Sequence, residues 1–555
     1  MRLDRWGVML LLALVTGLSL RLHGIDFGLP ALNDPDELMF ELGAVRMLRS
    51  FTLNPGWFGH PATTTMYGLA LVDVLAFASG YAMGVFRSIR EFGEVIYCDP
   101  SWVILPGRMM IALFGVGCIW LTARLGRQLF DRPVGVMAAA LLALSPVAVT
   151  WSQVIRSDIM ASFFMLLCMS ASVRIAREDQ WRDHVWAALW LGLAVATKWP
   201  FALTGLAVAG AHGLVLAQRG GGSLRQMASE MPRTGVRLTL FCAMMLGFLI
   251  LVSPYLVLAH ETVWRNLQGE AQVRHLGATG GTGWNNAAWY LRGPIFAGMG
   301  PAGMVLATTG LPIIARRREA LAILGTVAAA FFVLFCFQRL TWERWALPLL
   351  PLLSIVAAAA LVAICRKAQV LAPRLAGPKG PALALAATAL IVTAILLPLL
   401  LTALAGARER THDTRQRAAR WAIDHVPAES TVLIEHFAFD LYPQPWRILF
   451  PLGDVGCVDA KAMLHGKVGY GTIEAGRGAR ANVDYGTVDK AHRETCRADY
   501  AILTQYDRYR AERDAYPHEI VAYEELLQRG TIVASFAPQP GISGGPTVRI
   551  VRLLR

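Results

Sequence analysis

The chain has 555 residues, 55% of them hydrophobic and only 16% charged, with a formal net charge of +13. Soluble proteins carry about 25% charged residues, so this composition excludes an ordinary soluble enzyme. The positive balance does not indicate a nucleic-acid partner either: the arginines and lysines cluster between apolar runs, as they do in cytoplasmic loops of membrane proteins.

In chain order, "MRLDRWGVMLLLALVTGLSL" has a positive start and an apolar core like a secretory signal. No small-x-small cleavage site follows, so it reads as an uncleaved first helix starting in the cytoplasm. "ALNDPDELMF" then places Asp34, Asp36 and Glu37 directly after that helix, where carboxylates are costly unless they meet water, a cation or a reacting group. Further apolar spans fall near 105–125, 133–151, 158–175, 184–198, 200–217, 238–258, 294–315, 320–337, 345–365 and 381–405. With the first helix (6–22) this makes about eleven crossings.

The segment 61–86 is apolar enough to cross but carries Asp73 in its middle. If it does not cross, every basic cluster falls on one side: Arg124, Arg127 and Arg132; Arg177 and Arg182; Arg219 to Arg237; Arg316 to Arg318; Arg366 to Lys379. The positive-inside rule therefore makes 61–86 a surface-lying or re-entrant helix in a first outer loop, 23–104. The chain divides into a membrane domain, 1–405, and a C-terminal extracytoplasmic α/β domain, 406–555. In the latter, "STVLIEHF" and "ADYAILTQ" read as strands, and "HDTRQRAARWAIDHV" and "AERDAYPHEIVAYEELLQRG" as mostly helical. Cys457 and Cys496 are the only cysteines there, and an oxidising compartment permits a bridge between them, with two free thiols as the alternative.

The outer segments gather acids and bases: Asp34, Asp36, Glu37 and His60 in the first loop, Arg156 and Asp158 in one turn, Lys198 at a helix mouth, Arg274 and His275 in the loop 259–293, and Arg344 in a later turn. Three have a plain structural alternative, while the adjacent Asp36-Glu37 pair, whose carboxylates repel, is harder to dismiss. Lys198 suits a side chain snorkelling to headgroups, Asp158 a cap or a partner for Arg156, and Asp34 a turn before Pro35. Together they suit a group transfer in which a carboxylate takes a proton from an incoming hydroxyl or amine and cations hold a departing phosphate. No Walker loop, dinucleotide glycine fingerprint or HExxH motif is present.

On "NDPDELMF", "GHPATTTMYGL", "PGRMMIALFG", "LLALSPVAVTWSQVIRSDIMASFF", "GLAVATKWPFAL" and "ERWALPLLPLLSI", the chain resembles the GT-C membrane glycosyltransferases. The similarity is greatest to the protein O-mannosyltransferase family (glycosyltransferase family 39) and the bacterial lipid A aminoarabinose transferases. The resemblance covers most of 1–365 and implies an inverting transfer from a polyprenyl-phosphate sugar to an acceptor on the outer face. It maps the family's first-loop aspartate onto Asp36 as general base with Glu37 beside it, its Arg-x-Asp turn onto Arg156 and Asp158, and its phosphate-contacting lysine onto Lys198. Arg344 is a further phosphate candidate, and His60, Arg274 and His275 are further site candidates. Departures are His60-Pro61-Ala62 in the first loop, the extra polar stretch 87–104 and a C-terminal domain only loosely similar.

The expected protein is thus a multi-pass protein of the bacterial cytoplasmic membrane, a hexosyl- or pentosyltransferase. Its partners are a polyprenyl-phosphate-linked sugar and a lipid, glycan or protein acceptor, without nucleic acid. Some relatives bind a divalent metal, but nothing here resembles a dedicated cage. A transporter or flippase of a lipid-linked sugar is the alternative; its charges belong near the midplane on broken helices in repeated halves. A non-catalytic scaffold leaves Asp36-Glu37 without a role.

Overall fold

The computed structural model describes residues 4–554 apart from 222, 272, 436–438 and 467–482. Helix α1 (Arg5–Leu22) starts at an Asp4 cap that accepts from the Gly7 amide at 2.9 Å. Helix α2 (Pro35–Ser50) starts at an Asp34 cap, with Pro35 in its first turn where no amide is needed. Helices α3 (Thr63–Ala82) and α4 (Ile89–Cys98) complete the first loop. The bundle continues through α5 (Ser101–Leu129), α6 (Arg132–Leu144), α7 (Pro146–Trp151), α8 (Ser157–Glu178), α9 (Trp181–Thr197), α10 (Gly205–Arg219) and α11 (Leu224–Val252). Four long apolar segments follow: Pro294–Ala315, Arg318–Phe337, Leu349–Ala376 and Gly380–Thr411.

Among the described residues, ten helices are long and apolar enough to cross a membrane, α3 included. Packing distinguishes α3 from the rest. Arg132 pairs with Asp4 at 2.6 Å, while Arg108, near the start of α5, donates to the Ile25 and Phe27 carbonyls just beyond α1, both at 2.8 Å. Helices α1 and α5 are therefore antiparallel, and the chain between them leaves and re-enters the bundle at one end. Both ends of α3 stay there. Thr63 meets Ser253 at 2.8 Å and Thr64 meets Thr197 at 2.5 Å, while beyond its other end Phe86 packs on Trp102 with ring centroids 5.0 Å apart. Asp73, in the middle of α3, is buried beside Glu41 of α2. Setting α3 aside and counting α6–α7 and α9 leaves eleven elements running end to end. The span expected at 133–151 is broken in two, because Pro146 lacks the amide that would continue α6. Helices α5 and α6 approach closely: a Cβ on Gly135 would run into the Ala123 carbonyl oxygen.

Beyond Thr411 the chain forms an α/β domain on the same end of the bundle. Its six-stranded sheet has the order β3-β2-β1-β4-β6-β5, where β1 is Thr431–Ile434, β2 Arg447–Pro451, β3 Cys457–Asp459, β4 Tyr500–Leu503, β5 Gly530–Phe536 and β6 Val548–Leu553. β1 is parallel to β2 and β4; the other pairings are antiparallel. Alternation along β1 sends Leu433 to a core with Tyr523 and Leu526 of helix Pro517–Gln528, and Val432 and Ile434 to a core with Ala418 and Ala422 of helix Thr414–His425. Cys457 and Cys496 form a disulfide. The two strands read from sequence are β1 and β4; the rest of "STVLIEHF" beyond Glu435 lies outside the described residues. The domain is tied to the first loop by paired amides of Asn33 and Gln416, at 2.8 and 3.0 Å, and by Arg415 donating to the Asn33 carbonyl at 2.7 Å.

Candidate active site

Between bundle and α/β domain lies a cleft of about 1900 Å³ whose wall includes Asp34, Asp36, His60, Arg156, Glu270, His275 and Arg344. Breaks between helices deliver these groups. Asp34 and Asp36 open α2. Arg156 is the extended residue between α7 and α8, Lys198 the extended residue after α9, and Arg344 lies in the turn Glu343–Ala346 before Leu349.

Arg156 is the clasp of the floor. One of its terminal nitrogens bonds both Asp34 oxygens, at 2.8 and 3.1 Å, and the other bonds Asp36. Asp34 thus caps α2 and holds the clasp at once. The Asp36 side chain is 46% exposed, and that exposure is to the cleft. Burial works against its charge, but Arg156 and Arg344 outweigh it and hold the carboxyl below the usual range.

Glu37 turns the other way. It is fully buried, bonds Arg108 bidentately at 2.8 and 2.6 Å, and accepts from the Ile155 amide at 2.9 Å. Both oxygens are engaged, and the residue faces away from the cleft. Its two contacts join α2 to α5 and to the Arg156 turn.

Lys198 bonds Asp158 at 2.6 Å, and both side chains are almost completely enclosed, behind the cleft wall rather than on it. Arg344 differs: among the described residues no carboxylate lies within ion-pair reach of it. Its guanidinium lies 4.3 Å over the Trp342 ring and its buried Nε has no partner. His60 approaches Glu270 at 3.6 Å. Burial lowers its pKa, with Lys198 and Arg344 pushing the same way against Glu270. His275 packs against Trp342 with ring centroids 4.9 Å apart. Arg274 points instead to the α/β domain, donating to the Ala515 carbonyl at 3.4 Å.

The structure therefore gathers Asp36, Arg156, Arg344, His60 and His275 on one cleft, with Lys198 and Asp158 just behind, Glu37 facing away and Arg274 elsewhere. Among the described residues no group of three or more His, Cys, Asp and Glu is placed to hold a metal ion. Sequence reading missed Arg108, although a charge inside the apolar run "PGRMMIALFG" is a signal in itself. It also missed Arg410, Gln505 and Arg508, which line the same cleft.

An α-helical membrane bundle carrying its charged cleft under a C-terminal α/β domain is the GT-C glycosyltransferase fold. In particular, residues 91–258 match the family model described as dolichyl-phosphate-mannose-protein mannosyltransferase. Among solved structures the chain is similar to ArnT from Cupriavidus metallidurans in the apo state, with a TM-score of 0.50 and 16% identity over 98% of this chain and 97% of that one. It is also similar to the archaeal oligosaccharyltransferase AglB from Archaeoglobus fulgidus in complex with an inhibitory peptide and a dolichol-phosphate, with a TM-score of 0.52 and 14% identity over 95% of this chain and 72% of that one. A search of curated proteins gave no match.

Proposed function

We propose that this protein is an inverting glycosyltransferase that moves a sugar from a polyprenyl-phosphate donor to an acceptor on the outer face of the bacterial cytoplasmic membrane. The observation that carries the reading is Asp36: a carboxylate held ionised by Arg156, open to a cleft, within the field of the Arg344 guanidinium, which has no carboxylate partner among the described residues. The solved relative bound to a dolichol-phosphate supports the lipid-phosphate class of donor.

In this reading Asp36 takes the proton of the acceptor nucleophile. The acceptor atom bonds the anomeric carbon from the face opposite the phosphate, and the carbon–oxygen bond to phosphate breaks, with its electron pair leaving on the phosphate. Arg344 receives that charge: it lines the cleft, and among the described residues its buried Nε has no hydrogen-bond partner. Lys198, already bonded to Asp158, adds positive potential from behind. Arg156 fixes the Asp36 carboxylate, and Glu37 positions the turn through Arg108 and Ile155. His60 and His275 line the approach.

The basic end of the bundle supports the orientation. Arg132, Arg177, Arg219, Arg237 and Arg366 all pair at the end opposite the cleft, which the positive-inside rule makes cytoplasmic. An alkaline phosphatase fused after Arg555 should be active; an inactive enzyme, with a fluorescent fusion bright in its place, would turn the cleft to the wrong face. The activity itself is tested by envelope-glycan mass spectrometry with and without the protein, where one glycosyl residue should disappear. Loss of that residue with the lipid-linked sugar accumulating on the inner leaflet, and not on the outer one, would favour a flippase instead.

A further inference from the structure

The α/β domain presents its carboxyl-end crevice to the same cleft. β1 lies between β2 and β4 and is parallel to both; the chain passes from β1 to β2 on one side and later to β4 on the other. Where strand order reverses in this way, connections leave in opposite directions and open a ligand crevice beyond the strand ends. Glu435 directly follows β1, and Thr504 and Gln505 directly follow β4; all three line the cleft.

In nucleotide-binding sheets, free amides at such a crevice take the phosphate. Here an internal carboxylate has taken them. Glu435 is fully buried and accepts from the amides of Thr504 at 2.5 Å, Gln505 at 3.1 Å and Tyr485 at 3.2 Å, and from the hydroxyls of Thr504 and Tyr523. Asp484, buried beside it, accepts from Tyr509 at 3.0 Å. With these amides already occupied, an anion entering the crevice finds no free backbone donor there. The side chains on the cleft wall there are Gln505, Asp507 and Arg508, already linked to one another and to the sheet: Arg508 donates to Gln505 at 3.4 Å and Arg549 pairs with Asp507 at 2.9 Å. They offer planar donors and acceptors of both signs, a set that suits neighbouring hydroxyl groups and not an isolated phosphate.

The crevice is joined to the chemistry. The Gly277 amide donates to Glu512 of the domain at 2.7 Å, and a Cβ on Gly277 would lie 3.9 Å from the Arg508 side chain. Two residues earlier, His275 lines the cleft wall with Trp342, the two rings packed edge to face and Arg344 lying over Trp342.

Resting on the glycosyl-transfer reading, we infer that the crevice beyond β1 and β4 is the acceptor subsite and that the acceptor is an uncharged carbohydrate, held by Gln505, Asp507 and Arg508 while one hydroxyl reaches Asp36. The test uses the full chain in nanodiscs, applied to an array of neutral oligosaccharides, uronate-containing oligosaccharides and serine/threonine peptides. Undecaprenyl phosphate binding is measured in parallel. Neutral oligosaccharides should be retained, and Gln505→Ala and Arg508→Ala should each weaken that retention at least about tenfold while undecaprenyl phosphate binding stays unchanged. Retention of peptides or uronates alone, retention unaffected by both substitutions, or no retention at all would overturn the assignment. With undecaprenyl phosphate still bound, any of these leaves the transferase reading standing; loss of lipid-phosphate binding by the wild type counts against that reading instead.

Discussion

The floor and the roof of the cleft both hold carboxylates, and they treat them in opposite ways. On the floor, Asp34, Asp36, Glu37 and Asp158 each face an arginine or lysine at hydrogen-bond distance. On the roof, Glu435 and Asp484 face amides and tyrosine hydroxyls, with no cation paired to either among the described residues. A nearby cation lowers a carboxyl pKa and keeps the group charged, whereas burial among neutral donors raises it. The floor therefore holds Asp36 charged, and Asp36 is the one carboxylate of that set left substantially open. The roof uses carboxylates as struts that tie strand ends together.

The strongest way to break this contrast is to remove the charge from Asp36 alone. Asp36→Asn keeps size and most hydrogen bonding to Arg156 but cannot take a proton. Turnover with a synthetic polyprenyl-phosphate sugar should fall by about a hundredfold to ten-thousandfold, with thermal stability near wild type. Wild-type turnover in this variant would remove the floor carboxylates from the chemistry.

Next is the buried pair behind Asp36. Arg108→Met strands Glu37 without its cation, and breaking one partner of a buried pair costs about 3–5 kcal/mol. Thermal unfolding should shift down by several degrees, with part of the loss recovered in Glu37→Met/Arg108→Met. Lys198→Ala belongs to the same class, because it strands the enclosed Asp158; any loss of donor binding in it has to be read against that loss of stability. An unshifted melting curve for Arg108→Met would contradict the positioning role given to Glu37.

Arg344 sharpens the contrast from the cationic side. Among the described residues it pairs with no carboxylate, so Arg344→Gln removes a ligand contact without stranding such a partner. A charge-assisted hydrogen bond is worth about 1.5–3 kcal/mol, so undecaprenyl phosphate affinity should drop roughly tenfold to a hundredfold. Arg344→Lys should restore part of it, since the charge returns without the planar fork. Unchanged affinity would shift the phosphate to Lys198 or Arg156.

What sequence could show of this site follows from which signals are local. Charges in a chain this apolar are conspicuous, so Asp36, Arg156, Lys198 and Arg344 were all readable as residues at helix mouths, and the count of basic loops predicted that α3 stays at one end. Partnerships were not readable. Glu37 and Arg108 meet across 71 positions, and nothing in "PDEL" says which acid turns inward. Arg274 and His275 are adjacent, yet only the histidine lines the cleft, because the loop docks on the α/β domain. The roof was invisible for a different reason: its crevice comes from strand order, and β2, β3, β5 and β6 carry no pattern as plain as those of β1 and β4.

The mildest perturbation tests the roof itself. Burial, with Glu435 adding to it, pushes the Asp484 carboxyl up to about 7. A carboxyl in an unfolded chain titrates near 4, so the folded domain binds this proton more tightly than the unfolded one does. The stabilisation is full below about pH 4, declines as pH rises, and is lost once pH passes the folded value of about 7. Asp484→Asn carries the neutral form at every pH and still offers an oxygen to the Thr487 amide, which donates to Asp484 at 3.0 Å in the wild type. The domain's unfolding transition in wild type should therefore fall by a few degrees between pH 5 and 8, and in Asp484→Asn that slope should flatten, with the variant matching or exceeding wild type at pH 8. Asp36, held charged by Arg156 and Arg344, contributes no such slope in this range. An identical slope in both proteins would mean that Asp484 is ionised in the fold, and that the roof, like the floor, holds charge.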